Sequence, residues 1–128
     1  MKVQMQDQTL RLRISEAELA RLQAGEVVGN VTHLPGGIAH RQTVQLVNDD
    51  TPALVATTEG WNYRLPRDLL VPYVARLPCR DGLAVSLPVG EGAELAVEFE
   101  VDVRDSVRSG RTPRRRTQAV GGPDRGPS

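Results

Sequence analysis

The sequence is poor in aromatic residues and in cysteine, and both shortages exclude classes of protein. Only four of its 128 residues are aromatic, namely Trp61, Tyr63, Tyr73 and Phe99. The core therefore has to be built mainly from Val, Leu, Ile and Ala, and too few aromatics remain for a platform that stacks nucleic-acid bases. The single cysteine, Cys79, excludes an intramolecular disulfide and a multi-cysteine metal site, which favours a reducing cytosol.

Long apolar runs are also lacking. The longest, residues 69–75, is far too short to cross a bilayer. The N-terminal residues lead directly into an alternating strand pattern, without the apolar region of a signal peptide. We therefore expect a cytoplasmic protein that does not insert into a membrane.

The formal net charge of zero conceals an uneven distribution. Residues 1–105 contain ten Lys or Arg and fifteen Asp or Glu, whereas residues 106–128 contain six Arg and one Asp. The second segment is mostly Arg, Ser, Gly, Pro and Thr, and it cannot bury enough apolar surface to offset the entropy of ordering it. The sequence thus predicts one domain over 1–105 and a disordered, Arg-rich tail over 106–128.

Clustered arginines at residues 111–116 of the tail are of the kind that release counterions from nucleic-acid phosphates. The preceding domain is acidic, and it has neither a recognition helix nor aromatic residues on which bases could stack. We therefore predict no sequence-specific recognition of nucleic acid. We expect the tail to be solvated. The alternative is that the tail makes weak electrostatic contacts with the acidic domain.

Local patterns in the first half predict a hairpin followed by a helix. Apolar residues alternate with polar ones over 3–5 and again over 10–14. Ser15 and Glu18 form the pattern of a capping box, and Gly25 is a typical helix stop, so a helix is predicted over about 16–24. Further strands are predicted over 26–34, 43–47, 53–58, 61–65 and 83–89.

The second helix is predicted over 67–76, with Pro66 near its first turn. Pro72 inside it removes a backbone hydrogen bond and clashes with the preceding turn, so we expect the helix to be kinked or split. In the last strand, apolar residues alternate with Glu94, Glu98, Glu100 and Asp102. We predict that the core contains Leu10, Leu12, Ile14, Leu19, Leu22, Leu95, Val97, Phe99 and Val101.

The two halves of the domain follow a similar order. Residues 12–35 and 63–88 each contain a strand, a helix and a further strand at comparable spacing. We therefore predict an α+β fold in which a duplicated strand-helix-strands unit forms an antiparallel sheet or a partly closed barrel. A pseudo-twofold axis would relate the halves, and the two short helices would lie on one face.

The opening Met-Lys-Val, the strand at residues 9–15, the capped helix with Glu18, Leu19 and Leu22, and the turn at 32–37 resemble a family of short bacterial proteins known only as a domain of unknown function. The resemblance covers about 1–105 and is most specific over 9–37. Where members of that family carry a Cys-bearing C-terminal segment, this chain has residues 98–106 without cysteine. The resemblance implies a bacterial cytosolic origin and an α+β fold, and it carries over no activity.

Two histidines and two glycine-rich segments are weak candidates for sites. His33 and His40 flank a Pro-Gly-Gly turn and could meet across a hairpin, but two imidazoles alone make an incomplete metal site. We expect loop histidines and no bound metal. In a phosphate loop the glycines are followed by a lysine at the start of a helix. Neither residues 35–37 nor residues 90–92 are followed by such a start, so both segments are predicted to be turns and not phosphate loops.

Cys79 lies near Arg76 and Arg80 in the sequence, and such charges stabilise a reactive thiolate. Since no partner base is evident, we expect a half-buried structural thiol.

The charged strands are the one group of residues in the sequence that could support catalysis. If the sheet closes into a barrel, basic and acidic side chains would face each other across a tunnel: Arg11, Arg13 and Arg64 opposite Glu98, Glu100 and Asp102. Such an interior is similar to that of triphosphate tunnel enzymes, in which basic residues hold phosphates and carboxylates hold a divalent metal. The chain lacks the Glu-x-Glu-x-Lys strand of those enzymes. We therefore expect a solvated polar sheet face, with the tunnel as the alternative.

We predict a small non-enzymatic accessory or interaction protein of a bacterial cytosol, with no cofactor, no catalytic residue and an unidentified protein partner. The alternative is a small phosphate- or nucleotide-binding enzyme of triphosphate-tunnel type. An enzyme would gather Arg13, Arg64 and the acidic strand in a charged concavity. An interaction protein would disperse them and expose an apolar patch elsewhere.

Overall fold

The computed structural model describes residues 1–103, so the predicted tail, 106–128, and its boundary at 105 lie outside the described residues. The elements within it are β1 (Lys2–Gln6), β2 (Thr9–Ser15), α1 (Glu16–Gln23), β3 (Val28–Leu34), β4 (Ile38–Val47), β5 (Ala53–Thr57), β6 (Gly60–Pro66), α2 (Arg67–Ala75), β7 (Leu83–Gly90) and β8 (Ala93–Asp102). This is an α+β fold, as predicted, and the order strand-strand-helix-strand-strand occurs twice in it.

The strands form two separate four-stranded sheets. Sheet I has the order β1-β2-β8-β7, and sheet II has the order β3-β4-β6-β5. The described strands of one sheet do not pair with those of the other, so the predicted partly closed barrel is wrong. Each sheet instead takes one hairpin from each half of the chain and ends in two edge strands.

Both sheets are mixed, which corrects the prediction of an antiparallel sheet. The four hairpins are antiparallel internally, but the central pairs β2·β8 and β4·β6 are parallel. Alternation of apolar and polar residues is the same in parallel and antiparallel strands that bury one face. The sequence pattern therefore could not separate the two arrangements.

Helix α1 begins as its sequence predicts. The Ser15 hydroxyl accepts a hydrogen bond from the Glu18 N–H at 3.1 Å, and the Glu18 carboxylate accepts one from the Ser15 N–H at 2.9 Å. These two bonds satisfy amides that the first turn of a helix leaves without partners. Leu19 and Leu22, three positions apart, bury the face that packs on the sheets.

The prediction for helix α2 was a kink or a split at Pro72, and the helix is not split, since it runs without a break from Arg67 to Ala75. A proline at this position removes the bond to the carbonyl of Asp68, four residues earlier. Both residues lie on the exposed side of the helix, where water can bind that carbonyl. The opposite side carries the buried Leu70 and Tyr73.

The centre of the core joins β8 to α2. The rings of Phe99 and Tyr73 meet edge to face, with centroids 6.3 Å apart. The Val101 N–H donates to the Tyr73 hydroxyl at 3.1 Å. This amide needs a side-chain acceptor because β7 begins at Leu83, opposite Phe99, and does not reach Val101. The aromatic ring thus packs against β8 while its hydroxyl completes the backbone bonding of that strand.

The predicted core is confirmed apart from Leu95, which is only partly buried. The pattern did not predict the contribution of the middle of the chain. These additional buried side chains are Val28, Val44, Val47, Trp61, Tyr63, Leu65, Leu70, Tyr73 and Leu87.

Candidate functional site

Five of the six charged side chains singled out in the sequence lie on the solvent-facing side of sheet I. Strand alternation turns Leu10, Leu12 and Ile14 into the core, so Arg11 and Arg13 point outward. On β8 the same alternation turns out the acidic residues. The parallel register then pairs Arg11 with Glu98, Arg13 with Glu100, and Ser15 with Asp102.

These side chains form a small ion-pair network across β2 and β8. The Arg13 guanidinium contacts Glu100 Oε1 through Nη2 at 2.5 Å and through Nε at 2.6 Å. Arg11 lies between two carboxylates, with its Nε 3.1 Å from Glu98 Oε1 and its Nη2 3.7 Å from Glu100 Oε2. The arginines therefore bind carboxylates of their own sheet.

The network stabilises the sheet only slightly. Both arginine side chains are 46% exposed, and exposed ion pairs contribute ~0–1 kcal/mol because water and salt screen them. The ion-pair network also differs from a phosphate-binding site, in which the arginine side chains do not contact carboxylates and are available to the phosphate. On this face an incoming anion would have to displace Glu98 and Glu100.

Arg64 lies apart from the other five candidate residues. It projects from β6 on the outer side of sheet II, where its Nη2 is 4.0 Å from Asp49 Oδ2. The six residues consequently do not converge. Since the sheets do not close, the described part of the chain has no barrel interior in which they could meet.

A shallow depression of about 270 Å³ lies beside the ion-pair network, on the outer side of β1 and β2. It is lined by Gln4, Gln6, Asp7, Thr9 and Arg11. Its polar groups offer hydrogen-bond donors and acceptors but no pair of nucleophile and base. The two glutamines were not among the predicted site residues, although the alternation in β1 places both on the face that carries Arg11.

The two histidines do not form a metal site. His33 lies opposite Ala39 and His40 opposite Thr32 in the β3–β4 ladder. Directly opposed residues share a face and neighbours alternate, so the imidazoles point to opposite faces of sheet II. Both residues are in strands, which corrects the prediction of loop histidines. Residues 1–103 contain no group of three or more His, Cys, Asp or Glu that could hold a metal ion.

Cys79 is half-buried at the edge of the core, and its thiol contacts the Asp81 carbonyl oxygen at 3.4 Å. Arg76 is engaged elsewhere, with its guanidinium 5.8 Å from the centroid of the Tyr73 ring. This environment agrees with a structural thiol. The segments at 35–37 and 90–92 are turns at the tips of hairpins, as predicted.

The phenol of Tyr63 is a buried polar group outside the charged face. Its side chain is fully buried, and burial raises the pKa of Tyr63 far above its ordinary value. The hydroxyl has no hydrogen-bond partner among the described residues, and neither has the indole N–H of Trp61. A phenol that stays protonated and inaccessible cannot act as a general base near neutral pH.

Exposed apolar side chains concentrate on the β3–β4 hairpin. Of the eight large hydrophobic residues that are exposed in the described part of the chain, half lie in this segment: Val27, Val31, Leu34 and Ile38. The whole stretch 27–40 contains no charged residue. Absence of charge over 14 positions is the sequence signal that could have pointed to this surface.

Comparison with protein families, curated proteins and solved structures finds no match to this chain. The resemblance to a bacterial domain of unknown function therefore stays a prediction. Neither helix of the described residues has the length and apolar character needed to cross a membrane.

Proposed function

We propose that the protein is a small non-enzymatic interaction protein of a bacterial cytosol that binds protein through its β3–β4 hairpin. The observation that carries this proposal is the uncharged stretch 27–40 with four exposed hydrophobic side chains. Leu34 and Ile38 lie directly opposite each other in the ladder, and exposed apolar side chains that lie close together are typical of interaction surfaces in soluble proteins. The charged residues support the same function, since Arg11 and Arg13 are paired on sheet I and Arg64 lies on sheet II.

Site-specific photo-crosslinking in living cells tests the proposed surface. A benzophenone side chain replaces Val31 on the hairpin or, as the matched control, Gln4 on the outer side of sheet I; both wild-type residues are exposed. We expect covalent protein adducts from position 31 and none from position 4. Equal yields at the two positions, or none at position 31, would contradict the proposal.

The phosphate-binding alternative is tested in the same study by calorimetric titration of the full chain with tripolyphosphate and Mg²⁺. We expect no saturable binding that depends on Arg13 or Arg64, because a carboxylate already lies beside each of these guanidinium groups. Saturable binding that is lost in both Arg13→Gln and Arg64→Gln would favour the tunnel-type enzyme instead.

We also propose that the two halves arose by duplication of one strand-strand-helix-strand-strand unit. The topology supports this, because exchanging the halves converts the order of sheet I into that of sheet II. The backbone bonding supports it as well. The Ala96 N–H donates to the Gln8 carbonyl at 2.9 Å where β8 meets β2, and the Arg41 N–H donates to the Glu59 carbonyl at 2.6 Å where β4 meets β6.

An experimental structure tests the duplication. We expect residues 2–47 and 53–102 to superpose with the same strand registers and the same handedness of the helix connections. Helices lying on unlike sides of their sheets, or different registers at the two parallel pairs, would contradict a common origin.

A further inference from the structure

Strand β3 is an edge strand whose outward backbone groups are open. Among the described strands it neighbours only β4. The Arg41 N–H of β4 donates to Glu59, toward β6. In an antiparallel pair, both polar groups of a residue point to one side and successive residues alternate. Val31, which lies opposite Arg41, therefore directs its N–H and C=O toward the open edge, as do Gly29 and His33.

We propose that this edge binds a second copy of the chain, with the two β3 strands antiparallel and centred on Val31. In that register Val31 faces Val31, and Gly29 faces His33 on either side. Each of these pairs exchanges two backbone hydrogen bonds. Sheet II then continues across both copies. The inference rests on the proposed function, and it names the partner and the contact.

The side chains of β3 fit this register. Valine meets valine at the centre, and each imidazole lies opposite a residue without a side chain. The residue at position 29 has to be glycine within a single copy of the chain as well, because an added Cβ would lie 2.1 Å from the carbonyl oxygen of Gln42. Val28–Leu34 contains no charged residue, so the pairing brings no like charges opposite each other.

Apolar burial adds to the backbone bonds. Val31 is 44% exposed on the outer face of β3, and Leu34 and Ile38, which lie opposite each other on the other face, are 45% and 58% exposed. The proposed register places Leu34 opposite Val28 of the other copy, on the face that continues the core. Removing these side chains from water favours association.

The other three edges carry features that oppose strand pairing. Strand β1 has the charged Lys2, and β7 contains Pro88, followed by a register irregularity. Strand β5 has no charge of its own, but Asp50 precedes it and Glu59 follows it, so self-pairing would bring carboxylates together. Charges, prolines and bulges are the usual protection of edge strands. Strand β3 has none of these features between Val28 and Leu34, and the nearest carboxylate before it, Glu26, is bound by Arg21 at 2.9 Å.

The association test compares Val31→Lys with Val55→Lys in the full chain. Val55 is the matched control because it is also 44% exposed and lies at the centre of the opposite edge of sheet II. Sedimentation velocity is measured over a concentration series in roughly 0.5 M NaCl, which screens contacts through the arginines of 106–128. We expect a monomer–dimer equilibrium in the wild type and in Val55→Lys. Opposed lysines in Val31→Lys should raise the Kd at least about tenfold.

A disulfide test addresses the register. In a Cys79→Ser background, Val31→Cys should form an intersubunit disulfide under mild oxidation, because paired Cα atoms at such a position lie about 5.5 Å apart. Val55→Cys should not. A protein that is monomeric throughout the series and forms no disulfide at position 31 would overturn the proposal, as would a dimer weakened equally by both lysines.

The two proposals fail in distinguishable ways. Crosslinks from position 31 to other proteins, with no self-association, would refute the second copy and leave the interaction function intact. Absence of every adduct at that position would refute both.

Discussion

Replacing Phe99 with alanine is expected to lower the free energy of unfolding by ~3–5 kcal/mol. The Phe99 side chain is fully buried in β8 between the buried Val97 and Val101, and its ring meets Tyr73 edge to face. Removing it leaves a cavity between sheet I and α2. That cavity cannot collapse easily, because the hydrogen bond from Val101 to the Tyr73 hydroxyl holds the helix against the strand.

The measurement is equilibrium urea unfolding of the full chain, and Val71→Ala is its control. Val71 is 58% exposed on α2, so its truncation should change stability by less than ~0.5 kcal/mol. A loss below ~1 kcal/mol for Phe99→Ala would mean that this face of β8 is not part of the core.

The Gly60→Ala change is expected to destabilise the protein by at least ~3 kcal/mol, by a different mechanism. Gly60 has φ +149°, a conformation that residues with a Cβ rarely adopt, and it begins β6 beside β4. An added Cβ would lie 1.8 Å from the backbone carbonyl oxygen of Arg41. This oxygen belongs to the parallel partner strand and cannot move without disturbing sheet II.

The control for this change is Gly36→Ala. Gly36 also has a positive φ, +86°, but nothing lies within 4 Å of its added Cβ. The Gly36→Ala change should therefore lower the free energy of unfolding only by the strain of the left-handed conformation, ~1–2 kcal/mol. Thermal and urea unfolding of both variants measure the difference. Equal losses would show that β4 and β6 do not approach as closely as the structure has them.

The proposed interaction surface and the charged face lie on different sheets. Both sheets and the helices contribute to the aromatic core, and on the outer side of sheet I the arginines are already paired with carboxylates of the same sheet. Sheet II carries the uncharged stretch 27–40 and the open β3 edge. The charged face is thus the part least suited to a new partner, although it was the part that the sequence pattern singled out.

Several features were predictable because they depend on residues close together in the chain. The Ser15–Glu18 capping box specified the start of α1, and the alternation in β8 identified Val97, Phe99 and Val101 as buried. The tunnel hypothesis, in which Arg11 and Arg13 face acidic residues of β8, also rested on alternation. The structure has the expected solvated polar face instead, on which these residues are neighbours in one sheet and do not oppose each other across a tunnel.

Other features depended on contacts between distant segments. Pro72 did not break α2, because the carbonyl it leaves free faces solvent. His33 and His40 were candidates for meeting across a hairpin and were expected to be loop residues, but both lie in strands, and the register of β3 and β4 turns them to opposite faces. Arg64 was grouped with the arginines of β2 and instead belongs to sheet II.

By itself the sequence determined which side chains of β2, α1 and β8 are buried, where α1 begins and where the hairpins turn, because hydrophobic period, capping and turn geometry act over a few residues. Only the tertiary structure decided which hairpins share a sheet, that the central pairs are parallel, and that β3 lies at an open edge. Every strand offers the same backbone donors and acceptors. The choice among partners therefore depends on how the helices and the core pack, which no local pattern encodes.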